Sequence, residues 1–177
     1  MKKTAFCLIF LLNISYLASC TWFVRHSDPF YNYNDNDFPR EHLPLINPIE
    51  ATRKNSSSPW NVSLMPYGPW VPIPNSDADY PYSHIDELEK FAVKNGLIMA
   101  YSSYVDTQAD TYIQDNYYHW FVIIPNKKGG VVGFHTEDEF SQYIQTLGIQ
   151  NPDWQTPNEA FETFAETGCL VWIPDCN

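Results

Sequence analysis

The residues best suited to chemistry gather around one histidine. His119 stands in an aromatic, β-branched segment, and Asp106, Asp110 and Asp115 precede it on a polar stretch that also carries Tyr112. An imidazole beside carboxylates can act as a general acid or base, or hold a metal ion. The stretch from Asp106 to Asn116 is longer than a tight hairpin, and loops held by a rigid scaffold often carry function. The competing account is a solvated connection beside a structural histidine. The run Asp106-Thr107-Gln108-Ala109-Asp110 does not follow the spacing of a calcium loop, so no metal is expected. His84 and His135 each neighbour an expected helix cap and belong near the surface. A second chemistry, stacking on sugar rings, needs exposed aromatic faces, and 16% of the residues are aromatic. Trp60 and Trp70 are its candidates, whereas Trp120 and Trp172 fall in expected strands and belong to the core.

No standard catalytic signature accompanies these residues. The chain has no Gly-x-Ser-x-Gly elbow, no His-Glu-x-x-His, no P-loop and no dinucleotide-binding glycine motif. Gly129-Gly130 and Gly133 read as a turn, because no helix opens on them. Glu137-Asp138-Glu139 opens a helix, where negative charge suits the macrodipole. No cofactor is implied.

The elements that must position these groups divide by composition. Residues 20–58 are rich in Asn, Asp, Ser, Pro and aromatics with little periodicity, and are expected to form a flexible tether. Residues 59–82 interleave Trp60, Tyr67, Trp70, Tyr80 and Tyr82 with six prolines. Proline lacks a backbone donor and favours extended chain, so this stretch is expected to lie as a strap on the domain. Residues 83–177 are the patterned α+β domain.

Three helices are expected there, each with a start and a stop. Ser83 with Asp86 resembles a capping box, and that helix from His84 would stop at Asn95-Gly96. Thr136 with Glu139 begins a second that stops at Gly148. Thr156-Pro157 with Glu159 begins a third that stops at Gly168. Each carries one apolar stripe: Ile85, Leu88, Phe91 and Ala92; Phe140, Tyr143, Ile144 and Leu147; Ala160, Phe161, Phe164 and Ala165. Strands are expected over Leu97–Val105, Tyr117–Ile124, Val131–Phe134 and Leu170–Ile173. They are apolar on both alternating sets, so both faces of the sheet should be covered. The fold class is therefore α+β: a small, mostly antiparallel sheet of three to four strands packed by three helices, preceded by the Pro/aromatic-rich segment.

The N-terminus carries a different signal. Met1-Lys2-Lys3 is a basic start, and a short apolar run from Ala5 to Leu12 follows it, continuing loosely to Ala18. The run is too short to span a bilayer, which needs about 20 apolar residues, and it has the layout of an export signal over residues 1–19. Leu17-Ala18-Ser19-Cys20 resembles the lipobox of bacterial lipoproteins. That resemblance covers residues 1–20 only. It implies cleavage before Cys20, acylation of Cys20 as the membrane anchor, and, with Thr21 rather than Asp next, placement in the outer membrane. Ordinary secretion without lipid is the alternative.

Loss of residues 1–19 removes Lys2 and Lys3 and no acid, so the formal charge moves from −11 to −13. A chain this acidic is repelled by nucleic acid and suits a basic partner, although solubility alone also accounts for charge. With Cys7 in the leader and Cys20 in the lipobox, Cys169 and Cys176 remain as a pair that can bridge in an oxidising compartment. Closing so small a loop contributes about 2–3 kcal/mol. The expected function is a lipid-anchored, non-catalytic cell-envelope module of the immunity or inhibitor type that binds a basic protein. The alternative is an envelope hydrolase or carbohydrate-binding protein built on His119 and the Asp106–Asp115 loop.

Overall fold

The computed structural model describes residues 26–33, 40–64, 84–105, 118–125, 127 and 130–176. After a 3-10 turn at Pro29–Tyr31 come β1 (Glu41–Ile46), β2 (Ile49–Arg53), β3 (Asn61–Ser63), β4 (His84–Ile85), β5 (Leu88–Lys94), β6 (Leu97–Ser102), β7 (Trp120–Ile123) and β8 (Val131–Phe134). Two helices follow, α1 (Glu137–Thr146) and α2 (Pro157–Thr167). The strands form two antiparallel four-stranded sheets in sequence order, β1-β2-β3-β4 and β5-β6-β7-β8. The α+β class stands, but with two sheets instead of one and two helices instead of three among the described residues.

The second sheet explains why its strands are apolar on both sides. Phe91, Ile98, Ala100, Phe121, Ile123 and Val131 face the first sheet and α2, in a cluster with Leu43, Leu45, Val62 and Phe164. Met99, Trp120, Val122 and Phe134 face the other way, onto Phe140 and Ile144 of α1 and onto Ile149. Both faces are buried, as expected, but a second sheet does much of the covering. Burying each such large side chain contributes roughly 1.5–3 kcal/mol.

The expected helix from His84 is instead β4 and β5. Asn95 and Gly96 both have positive φ, 54° and 73°, and they join β5 to β6 with Lys94 opposite Leu97. That is the Asn-Gly turn of a tight hairpin, not a helix cap. A register shift between Leu88 and Lys90 puts Leu88 and Phe91, three residues apart, in one cluster. This bulge imitates helical spacing in the sequence.

The other two helices form as expected. Thr136 and Glu139 make a reciprocal capping box on α1, and Thr156 and Glu159 make one on α2. Pro157 opens α2, and Gly168 ends it in the left-handed conformation at φ 70°.

Three further expectations are corrected. Residues 41–53, expected within the tether, form the β1–β2 hairpin, with Leu43, Leu45, Ile49 and Ala51 fully buried. Their period-two alternation was masked by Pro44, Asn47 and Pro48. At the start of the expected strap, Trp60 is buried and β3 pairs with β2 and β4; residues 65–83 lie outside the described residues. Leu170–Ile173 is a turn, not a strand: the Ile173 amide donates to the Leu170 carbonyl at 2.9 Å, inside the loop closed by Cys169–Cys176.

Candidate functional site

His119 lies just before β7. Its amide donates to the Phe134 carbonyl at 3.1 Å, and its own carbonyl accepts from Ser102 at 2.9 Å. The half-buried ring sets Nδ1 2.9 Å from the Ser102 carbonyl. That oxygen can only accept, so Nδ1 carries the proton and Nε2 is the basic nitrogen of the neutral ring. Asp106, Asp110 and Asp115, the proposed partners, lie outside the described residues. The neighbouring His135 stacks on Tyr118 with centroids 4.3 Å apart.

Trp60 does not offer an open face. It is 4% exposed, with the Arg53 guanidinium 4.5 Å above its ring and Phe161 at 5.3 Å. Its indole nitrogen and Arg53 both donate to the Asn158 side-chain oxygen, at 2.8 and 2.6 Å. Arg53 also donates to Glu41. This knot forms part of the wall of a cleft of about 630 Å³ at the start of α2, with Glu87, Glu89 and Ser57 on its rim. Trp70 lies outside the described residues. A second aromatic group surrounds Lys90, whose ammonium stands 5.2, 4.7 and 5.0 Å from the rings of Tyr101, Trp120 and Trp154. That cage is filled by the chain's own cation.

The expected bridge is formed. Cys169 and Cys176 are disulfide-bonded, with Cα atoms 5.5 Å apart. Sequence reasoning missed what docks against it. His26 is buried, with Nε2 2.7 Å from the Gly168 carbonyl and Nδ1 3.1 Å from the Pro174 carbonyl. A neutral ring donates to one of these oxygens, and a protonated ring donates to both. Nε2 is also 3.9 Å from Cys176 Sγ, but the sulfurs are bonded to each other and hold no thiolate for a metal. No local signal reveals a contact across 142 residues.

A further polar feature is the acidic C-terminal segment, on which Arg53 of β2 packs at Asn158 and Phe161. Residues 129–177 contain no Lys or Arg. They contain Glu137, Asp138, Glu139, Asp153, Glu159, Glu162, Glu166 and Asp175, all exposed. Some of these acids serve the fold. The Thr136 backbone amide, with the Thr136 hydroxyl and the His135 amide, holds the Glu139 carboxyl below its ordinary range. The Thr156 hydroxyl and then its amide do the same for Glu159. Glu137 and Asp138 also sit at a helix start, where the macrodipole favours them. Glu162 and Glu166 have no such account. They stand four apart on α2, where like charges repel, and Glu166 is in the last turn, where the macrodipole opposes a negative charge.

No family model matches the chain, and neither the curated proteins nor the solved structures give a match. Among the described residues, the chemistry on display is electrostatic: exposed acids on α1 and α2 and a fixed imidazole.

Proposed function

We propose that this is a lipid-anchored protein of the cell envelope that works by binding, capturing a basic protein partner such as a toxin or lytic enzyme. The anchor rests on Lys2-Lys3, the short apolar run and Leu17-Ala18-Ser19-Cys20. The observation that carries the binding role is the exposed pair Glu162 and Glu166 on α2, within a C-terminal segment, residues 129–177, that itself contains no Lys or Arg. Their repulsion costs the helix stability, so the fold alone gives no reason for them. Acidic groups held at fixed spacing on a rigid helix speed the approach of a cationic surface and select its orientation.

Two measurements test the reading. Membrane fractionation of Cys20→Ser should move the protein from the membrane to the soluble fraction, and retention on the membrane rejects the anchor. A pull-down from envelope extract at low salt should enrich a basic protein and release it at high salt. Recovery of no protein partner rejects the capture role.

A second reading, an envelope hydrolase or carbohydrate-binding protein, is favoured by one observation only. The Ser102 carbonyl fixes the His119 ring with Nε2 as its basic nitrogen, which is how a general base is oriented. Hydrolysis of an envelope substrate that disappears in His119→Ala at unchanged thermal stability would establish it.

A further inference from the structure

We infer that the disulfide pole of the domain faces the membrane and that Val171 touches the lipid headgroup layer; this rests on acylation of Cys20 in the reading above. The chain is fixed to that pole at His26, whose two ring nitrogens meet the Gly168 carbonyl just before the Cys169–Cys176 loop and the Pro174 carbonyl within it. The contact is reinforced where Asn32 accepts from the His26 amide at 2.8 Å. Five residues, Thr21 to Arg25, separate His26 from Cys20. Fully extended, six residue steps reach at most about 20 Å. A compact domain of this size is roughly 35–40 Å across. The tether is thus shorter than the domain, so an acylated Cys20 keeps this pole within about 20 Å of the bilayer, while the far side of an upright domain stands clear of it.

The pole carries a group suited to that position. Val171 is 78% exposed, against 36% for Val105 and Leu147, the other exposed large apolar residues described. Its neighbours Leu170 and Ile173 are buried, so the loop turns one apolar side chain outward between two that anchor it. A single exposed valine is ordinary on a protein surface. Here it lies on the same closed loop that receives the tether, and the tether's composition, Trp22-Phe23-Val24-Arg25, is of the kind enriched at membrane–water interfaces. Asp175, within the same loop and exposed, resists deeper insertion, which limits the contact to headgroup depth. The cleft at Asn158 lies at the other end of α2, about 15 Å along the helix from the pole.

The test uses the full chain in its membrane with a photo-reactive benzoylphenylalanine in place of Val171, and separately in place of Ser57 on the rim of the distal cleft. Both positions are exposed, so the bulky group is accommodated. Mass spectrometry first establishes whether Cys20 carries acyl chains, and then reads lipid adducts after irradiation. The expected result is an acylated Cys20, a lipid adduct at position 171 and none at 57. Acylated protein that gives no adduct at 171, or equal adducts at both positions, overturns the orientation and leaves the anchor standing. Absence of acyl chains overturns the anchor and the orientation together.

Discussion

Trp60 shows how differently one residue reads in sequence and in space. Among prolines and serines it is a candidate for stacking on a ligand; in the fold it is buried between Arg53 and Phe161, with its nitrogen bound to Asn158. The consequence is measurable. Trp60→Ala should destabilise the domain by about 3–5 kcal/mol through lost packing, seen as a lower midpoint in chemical denaturation. An unchanged midpoint would return Trp60 to the surface. Three carboxylates make a different kind of prediction. Phe30 and then Asn47 hold Asp28 below its ordinary range, and the two helix caps do the same for Glu139 and Glu159. A carboxyl whose pKa falls on folding stabilises the native state above its unfolded value, near 4, and that contribution fades as pH drops through the lowered native value. Replacing Glu139 and Glu159 with Gln should therefore flatten the loss of thermal stability below about pH 4. An unaltered acid limb in melting curves would show that these caps do not titrate as described. His119 and the three aspartates are legible in sequence as types, but spacing does not encode whether such groups meet in space.

The elements were legible where local chemistry is decisive. Thr136 with Glu139 and Thr156-Pro157 with Glu159 satisfy orphan amides within one turn, so each helix start is written in neighbouring residues. The β7–β8 hairpin is equally local. Legibility failed at β5, where a bulge between Leu88 and Lys90 broke the alternation and produced a false helical stripe. It failed again at β1 and β2, whose buried Leu43, Leu45, Ile49 and Ala51 sit among turn-forming residues. The Asn95-Gly96 pair carried the correct answer, since two positive φ values make a hairpin turn and not a helix stop. Gly96→Ala should cost about 1–2 kcal/mol, because alanine resists the left-handed conformation. No side chain or backbone atom crowds the added methyl group, so the loss would be conformational. A denaturation midpoint equal to that of the native chain would contradict the turn assignment.

Among the described residues two sheets and two helices pack around two apolar clusters, and the C-terminal segment, residues 129–177, carries eight acids without a Lys or Arg. Cap acids and first-turn acids belong to the fold. Glu162 and Glu166 are placed against the interests of their own helix. A protein that keeps such residues trades stability for another property, and capture of a cationic surface is the property that fits. The tether, the His26 clasp and the disulfide would then present this surface from a membrane without adding a catalytic group. The central claim is tested most directly by replacing Glu162 and Glu166 with Gln and measuring two quantities on one sample: thermal stability, and recovery of the basic partner from envelope extract at low salt. The account predicts a melting temperature equal to or above that of the native chain, together with loss of the partner. A variant that captures the partner as well as the native chain does, or that captures less only because it has unfolded, would contradict it.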